Sequence, residues 1–529
     1  MNKLFLKKYR WLLLLGFMSI GFIACSESDE PLNPVEPPQE GEKEPYRDEK
    51  AYANFFSYSV MSDVYLWKQD ITAALNAWPI LADPIEVVAQ ARYKHGNEDV
   101  DKWTEMTDSH SEMVGGTDGI STGTYGMGLQ LFLKEQGSEA VVGFITYTYP
   151  DSPAEEAGLN RGDVILQVNG EELNLNNYYN YLFASESVEI GIGRYLGDNV
   201  YSSVEDTLSM KAIAMYENPV LLTKVFDCGG KKVGYLAYTS FTFESSLALY
   251  DACKEFKKEG ISELILDLRY NGGGYVFTEE VLASMLAPEN EVKNKSVFET
   301  EIWNDDYMAY YKKNKVDLNT YFRTSFKQTH NNKQYDFDTS DANLGLTKIY
   351  ALVTENSASA SEAILVGLKP YMDIEIIGTK THGKYCSGIM WKGEEWYQEV
   401  VDNYQANKRN FVTDYPQFAE WKKYIGDWGI YVMISMYADK DGNNPCMPDG
   451  LTPDVEAKDL FEEPYPLGDE REAMLNVALQ RAGKTDLKAR VASRSAFTLP
   501  VGKALKKQNN PLDGKRIYTT NRVKARIQN

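Results

Sequence analysis

Three serines, a glutamate and a lysine supply the residue types of a hydrolytic site. Ser357, Ser359 and Ser361 alternate with alanines in Ser357-Ala358-Ser359-Ala360-Ser361-Glu362. The apolar run 349–354 before them reads as a buried strand, and the apolar run through Leu368 after them as a helix. The serines therefore sit where a strand hands over to a helix. Backbone N–H groups at that point lack intrahelical acceptors and carry partial positive charge, which suits stabilisation of an oxyanion. A serine hydroxyl still needs a base. Past the next strand, which ends at Gly378, the chain reads Thr381-His382-Gly383-Lys384. A lysine titrates ordinarily near ~10.4, so only about 0.04% of it is neutral at pH 7. Burial lowers a lysine pKa by up to ~3–5 units, so Lys384 can act as a base only if it is desolvated beside the hydroxyl. His382 is the other candidate base, and in an extended stretch it shares a face with Lys384 and Cys386. Glu362 lies one helical turn after Ser359. The residues alone leave the choice among the three serines open.

Other chemistries lack their signatures. The other histidines, His95, His110 and His330, lie away from this region, and Asn271-Gly272-Gly273-Gly274 lacks the Lys-Ser/Thr of a phosphate loop. No GxSxG elbow surrounds a serine in this part of the chain. Cys228, Cys253, Cys386 and Cys446 show no CxxC spacing, so neither a metal nor another cofactor is expected. In an oxidising compartment they could form disulfides, which sequence cannot pair. The net charge of −22 over 529 residues argues against nucleic acid, whose phosphates need a Lys/Arg surface.

The elements around this core imply several domains. Residues 1–24 read as a signal peptide: Lys3, Lys7, Lys8 and Arg10 precede an apolar run too short to span a bilayer. The run ends Ala24-Cys25, which resembles a bacterial lipobox and implies lipidation of Cys25. Residues 25–45 read as an acidic, Pro-rich tether, and residues 46–118 as a helical module, with Phe55, Tyr58, Met61 and Tyr65 at helical spacing and Val87, Val88 and Ala91 in a further helix. Short strands and a capped turn of helix at Ser152-Pro153 fill residues 119–214. Strand–helix–strand alternation over residues 215–465 implies right-handed crossovers and a mostly parallel sheet. Two polar stretches, near 290–344 and 394–423, read as insertions. Residues 466–529 read as one helix followed by a basic, irregular tail.

Residues 119–214 resemble a PDZ domain, with Gly126-Met127-Gly128-Leu129 matching the loop whose backbone amides hold a peptide carboxylate. The core resembles the carboxy-terminal processing (tail-specific) serine proteases in three ordered blocks: Leu266 onward through Gly274, Ser357 through Glu362, and Gly383-Lys384. The resemblance covers most of residues 120–460. It implies a multidomain α/β fold with an N-terminal helical module, a PDZ-like β domain and a ClpP/crotonase-like α/β protease core. It implies Ser359 as nucleophile, Lys384 as base 25 residues later, Glu362 as the residue that orients them, and an oxyanion hole from Ala360 with Gly272 or Gly273. Pro370 stands where some relatives place an acidic third member. The implied protein is an endopeptidase of the bacterial envelope, held to the membrane by lipid on Cys25. Its partners would be polypeptides with accessible C-termini, and an oligomer is left open. The rival reading is a binding lipoprotein on the same fold that captures peptides or other ligands without cleaving them.

Overall fold

The computed structural model describes residues 49–135, 137–396, 423–461, 464–487 and 512–519. The signal peptide, Cys25, the tether and most of the 394–423 stretch lie outside the described residues.

Near the N-terminus, the helices Glu49–Met61 and Pro84–Ala91 pack through Tyr52, Phe56, Val87 and Val88 into one cluster with Trp391 and Ile430 of the core. Asp83 caps the second helix by accepting from Ile85 N and Glu86 N. Thus the aromatic stripe is core. Glu105–Thr107 then adds a strand to a core sheet, beside Gly429–Ala438.

The PDZ-like domain is an antiparallel sheet in which Met127–Leu133, Val141–Thr148, Asp163–Val168 and Ser187–Gly197 are successive neighbours. Its strands bury both faces: Leu129 and Leu131 join one cluster, while Phe132, Val142 and Phe144, which alternate with the first set, pack in a second cluster with Phe461. Ser152 caps the short helix Pro153–Glu156 by accepting from Glu155 N, and its Oγ donates to Gly126 O. Gly126 has φ +71°, and a Cβ there would lie 2.3 Å from Ser152 Cβ, so this position requires glycine.

The core holds two sheets. In the first, the order is Val220–Cys228, Lys231–Tyr238, Glu263–Asp267, Lys348–Val353, Asp373–Gly378 and Val455–Glu456, parallel after the first hairpin. Helices cover both faces. Leu264 and Leu266 point to the helices Ser245–Glu259 and Ala360–Leu368, while Ile265 between them packs with Met474 and Leu475 of Ala473–Arg481. Burying each such side chain contributes about 1.5–3 kcal/mol.

The second sheet runs Gly273–Tyr275, Lys515–Tyr518, Cys386–Lys392, Gly429–Ala438, Val297–Trp303 and Asn319–Tyr321. Two sequence expectations change here. The stretch 290–344 is not wholly an insertion, because Val297–Trp303 pairs with Gly429–Ala438 inside this sheet. The basic tail is not wholly irregular either. Lys515–Tyr518 is a strand held between Gly273–Tyr275 and Cys386–Lys392, parallel to both. Its two basic residues, Lys515-Arg516, hid it, since Arg516 is buried by pairing rather than by being apolar. All four core cysteines are buried thiols.

Candidate active site

Ser359 is the N-cap of the fully buried helix Ala360–Leu368 and has φ +65°, a left-handed conformation unusual for a side-chain-bearing residue. The hydrogen bonds of the three serines separate them. Ser357 Oγ donates to Leu268 O at 2.7 Å and accepts from Thr354 N at 3.0 Å. Ser361 Oγ donates to Asn271 O at 2.9 Å. Ser359 Oγ is buried and has no hydrogen-bond partner among the described residues. Two hydroxyls therefore brace the turn, and one is left for chemistry.

Glu362 organises the backbone around that hydroxyl. Its Oε2 accepts from Ser359 N at 2.7 Å and from Lys384 N at 2.9 Å. Its Oε1 accepts from Gly383 N at 2.7 Å and from Thr381 Oγ1. The carboxylate is fully buried and contacts main chain on both sides of the site rather than the Lys384 ammonium.

Lys384 is fully buried. Its Nζ donates to Tyr431 OH at 2.8 Å and to Gly514 O at 2.6 Å, and lies over the rings of Tyr431 and Trp103. Burial, opposed chiefly by Cys386 and reinforced by the Lys515 charge, lowers its pKa to about 7. No hydrogen bond joins Nζ to Ser359 Oγ. His382 lies near this site without entering it: burial lowers its pKa, Glu362 opposes that and the Lys384 charge adds to it, but its side chain keeps an outward, solvent-facing side. Residues 381–385 are not a strand, Gly383 turns the chain at φ +89°, and the imidazole is exposed while Lys384 points inward. The expected common face is absent for that reason.

The glycine turn faces Ser359 closely. Gly273 has φ +108°, and a Cβ there would lie 2.8 Å from Ser359 Cβ and 2.6 Å from Lys515 O. Asn271 fixes this turn: its Oδ1 accepts from Gly273 N at 2.9 Å, its Nδ2 donates to Tyr238 O, and its carbonyl accepts from Ala358 N. The Gly273 amide is thus already engaged. Ala360 opens its helix, so its N–H has no intrahelical acceptor.

Met127, Gly128 and Leu129 line a groove that Tyr270, Thr239 and Asp513 close from the other side. This groove leads from the PDZ-like domain to the residue preceding Asn271. Arg161 of the same domain is buried against Tyr270, pairing with Asp459 and donating to Tyr270 OH. Sequence reading missed Arg161, Asn271, Trp103 and Tyr431. Asn271 lay within the recognised block, but Tyr431 sits in the apolar run Ile430 through Ile434 with nothing to distinguish it.

Residues 232–457 match the model of peptidase family S41, and residues 144–192 match a PDZ domain. The fold and site thus define a PDZ-bearing chain with an S41 peptidase core. The chain is 26% identical over 289 residues to the "Probable CtpA-like serine protease" of Staphylococcus aureus (strain bovine RF122 / ET3-1), covering 53% of this chain and 49% of that one. It is likewise 26% identical over 315 residues to the protein of that name in Staphylococcus epidermidis, covering 58% and 54%. The chain therefore spans about half the length of the curated relatives it matches. A solved structure of a candidate S41 protease from Bacteroides fragilis NCTC 9343 shares the fold, with a TM-score of 0.56, 23% identity, and coverage of 81% of this chain and 97% of that one.

Proposed function

We propose that this chain is a serine endopeptidase of the carboxy-terminal processing type, working through a Ser359–Lys384 dyad. The observation that carries the reading is a fully buried lysine with a pKa of about 7, beside a strained N-cap serine whose hydroxyl is unpartnered. Neutral Lys384 Nζ takes the Ser359 proton as Oγ attacks the substrate carbonyl. The N–H groups of Ala360 and Gly272 receive the oxyanion, with Gly273 shaping the turn. The ammonium then protonates the leaving amine. Water, activated by the same lysine, hydrolyses the acyl-enzyme and returns the proton to Ser359. Glu362 is a positioning residue in this scheme, since it holds both backbones and touches neither reacting atom. Substrate C-termini dock along Met127, Gly128 and Leu129, which line a groove with Tyr270, while Gly126 ahead of them turns the chain and its N–H donates to Thr124 Oγ1. Lipid on Cys25 anchors the protein in a bacterial envelope.

The test is digestion of an unfolded polypeptide bearing an apolar C-terminus. Cleavage vanishes in Ser359→Ala and in Lys384→Ala. Cleavage that survives both changes would refute the dyad. A folded chain that binds such tails and cleaves none would be a binding lipoprotein.

A further inference from the structure

The strand Lys515–Tyr518 occupies a singular position. It lies between Gly273–Tyr275, which carries the turn facing Ser359, and Cys386–Lys392, which follows Lys384. Gly514 N donates to Gly272 O at 2.7 Å, and Gly514 O accepts from Lys384 Nζ at 2.6 Å. Lys515 O is the nearest atom to a Cβ built on Gly273, and Ser359 Cβ is the next nearest. Two residues upstream of Lys515, Asp513 lines the groove of the PDZ-like domain. One segment therefore runs from that groove, past the Gly272-Gly273 turn that faces Ser359 and against Lys384, to a buried pocket beyond. This is the path a substrate takes under the proposed function, and backbone pairing with a sheet is how extended peptides are commonly held.

The pocket beyond is built for a guanidinium. Arg516 is fully buried. Its Nε and one terminal nitrogen donate to the two oxygens of Glu279 at 2.7 and 2.9 Å, a bidentate fork. That terminal nitrogen also reaches Glu299, the other donates to Ser387 Oγ at 2.6 Å, and the ring of Tyr437 lies below. A lysine ammonium cannot reproduce the fork. Burial raises the Glu279 pKa, the Arg516 guanidinium opposes that rise and the neighbouring Glu299 adds to it, so the two carboxylates stay charged together only with a cation between them.

We propose that Glu279 and Glu299 form an arginine-recognising subsite of the peptide channel, and that the chain's own 512–518 segment fills this channel as a pseudo-substrate. This rests on the peptidase reading for what the channel is used for. The occupant is unproductive, because Gly514 O engages the lysine that would otherwise turn to Ser359 Oγ. Residues 488–511 join this segment to the helix Ala473–Arg481, so it stays tethered when it leaves the channel.

The test uses the full chain and a fluorescein-labelled peptide with the sequence of residues 511–519. The unmodified chain binds the peptide at least tenfold more weakly than Arg516→Ala, whose own segment is released. In Arg516→Ala the peptide loses at least tenfold in affinity when its arginine is replaced by alanine, and again when Glu279→Gln is added to the protein. Equal binding of the arginine and alanine peptides, or none by a folded Arg516→Ala chain, overturns the proposal. Should that variant not fold, hydrogen exchange of the unmodified chain decides. Amides of Lys515–Tyr518 exchange at least a hundredfold faster than those of the flanking Cys386–Lys392, whereas equal protection marks a permanent strand and overturns the proposal. Peptide binding with this preference in a chain that cleaves no polypeptide leaves the channel standing and removes the peptidase reading alone.

Discussion

The backbone amides of Ser359 and Lys384 converge on a single atom, Oε2 of Glu362, at 2.7 and 2.9 Å. Residues far apart in sequence are thereby locked in register through one buried carboxylate. In Glu362→Gln an amide NH2 replaces one acceptor oxygen and faces backbone donors. Losing charge-assisted bonds and creating unpaired buried donors costs about 2–4 kcal/mol of stability. The expected outcome is a lower melting temperature and a kcat reduced at least a hundredfold, with KM little changed, since substrate does not touch Glu362. A variant with wild-type kcat would show that the carboxylate only caps its helix.

The three serines make a second prediction. Ser357→Ala and Ser361→Ala each remove a buried bond that braces the turn, and lose roughly 1–3 kcal/mol while keeping measurable peptidase activity. Ser359→Ala loses all activity and is at least as stable as the wild type, because it removes a buried hydroxyl without a partner. Thermal melts paired with activity assays separate the three.

The buried lysine predicts the pH profile. Only neutral Lys384 accepts a proton, so kcat/KM rises with pH through about 7, falling tenfold per unit below that. Stability follows by linkage. The unfolded lysine titrates near ~10.4 and the folded one near 7, so between those values the unfolded chain binds more protons and stability rises with pH. The penalty is complete below about 7 and is on the order of 4 kcal/mol. Lys384→Met is therefore inactive, and its gain in stability over wild type is largest near pH 6 and shrinks toward pH 10. Denaturant titrations at the two pH values measure that difference.

The groove of the PDZ-like domain gives a fourth. A Cβ at Gly128 would lie 2.4 Å from Thr146 Oγ1 and 2.5 Å from Tyr147 Cε1, so Gly128→Val pushes the tyrosine into the groove. The expected effect is a KM raised at least tenfold for polypeptides presenting a free apolar tail, and an unchanged rate on short peptides that do not reach this domain. An equal loss on both would place the defect in the core instead.

Much of this was legible in the sequence because it rests on local patterns. Alternating strand residues, the Ser152 cap and the strand-to-helix serine run each depend on neighbours within a few positions. Strand ends fell close to expectation, as with 349–354 against the observed Lys348–Val353. Ser359 could be picked from its neighbours only by resemblance, because what distinguishes it is that Ser357 and Ser361 are bonded to Leu268 and Asn271, some ninety residues away. Arg516 was illegible for a related reason. A basic tail reads as solvated unless its partners, Glu279 and Glu299, are known to lie opposite, and neither carries a local signal of burial.

The composition of the second sheet has a temporal consequence. It takes strands from Glu105–Thr107, from the middle of the chain and from Lys515–Tyr518, and Lys515 Nζ reaches back to Glu105 at 2.8 Å. Chains emerge from the ribosome at about 5–20 residues per second, so the first of these strands waits on the order of half a minute for the last. The PDZ-like domain and the first sheet can assemble during synthesis from nearer contacts. The segment that holds Lys384 through Gly514 O is complete only after residue 518 has been made, so a growing chain passes through a period in which its own catalytic lysine lacks that partner.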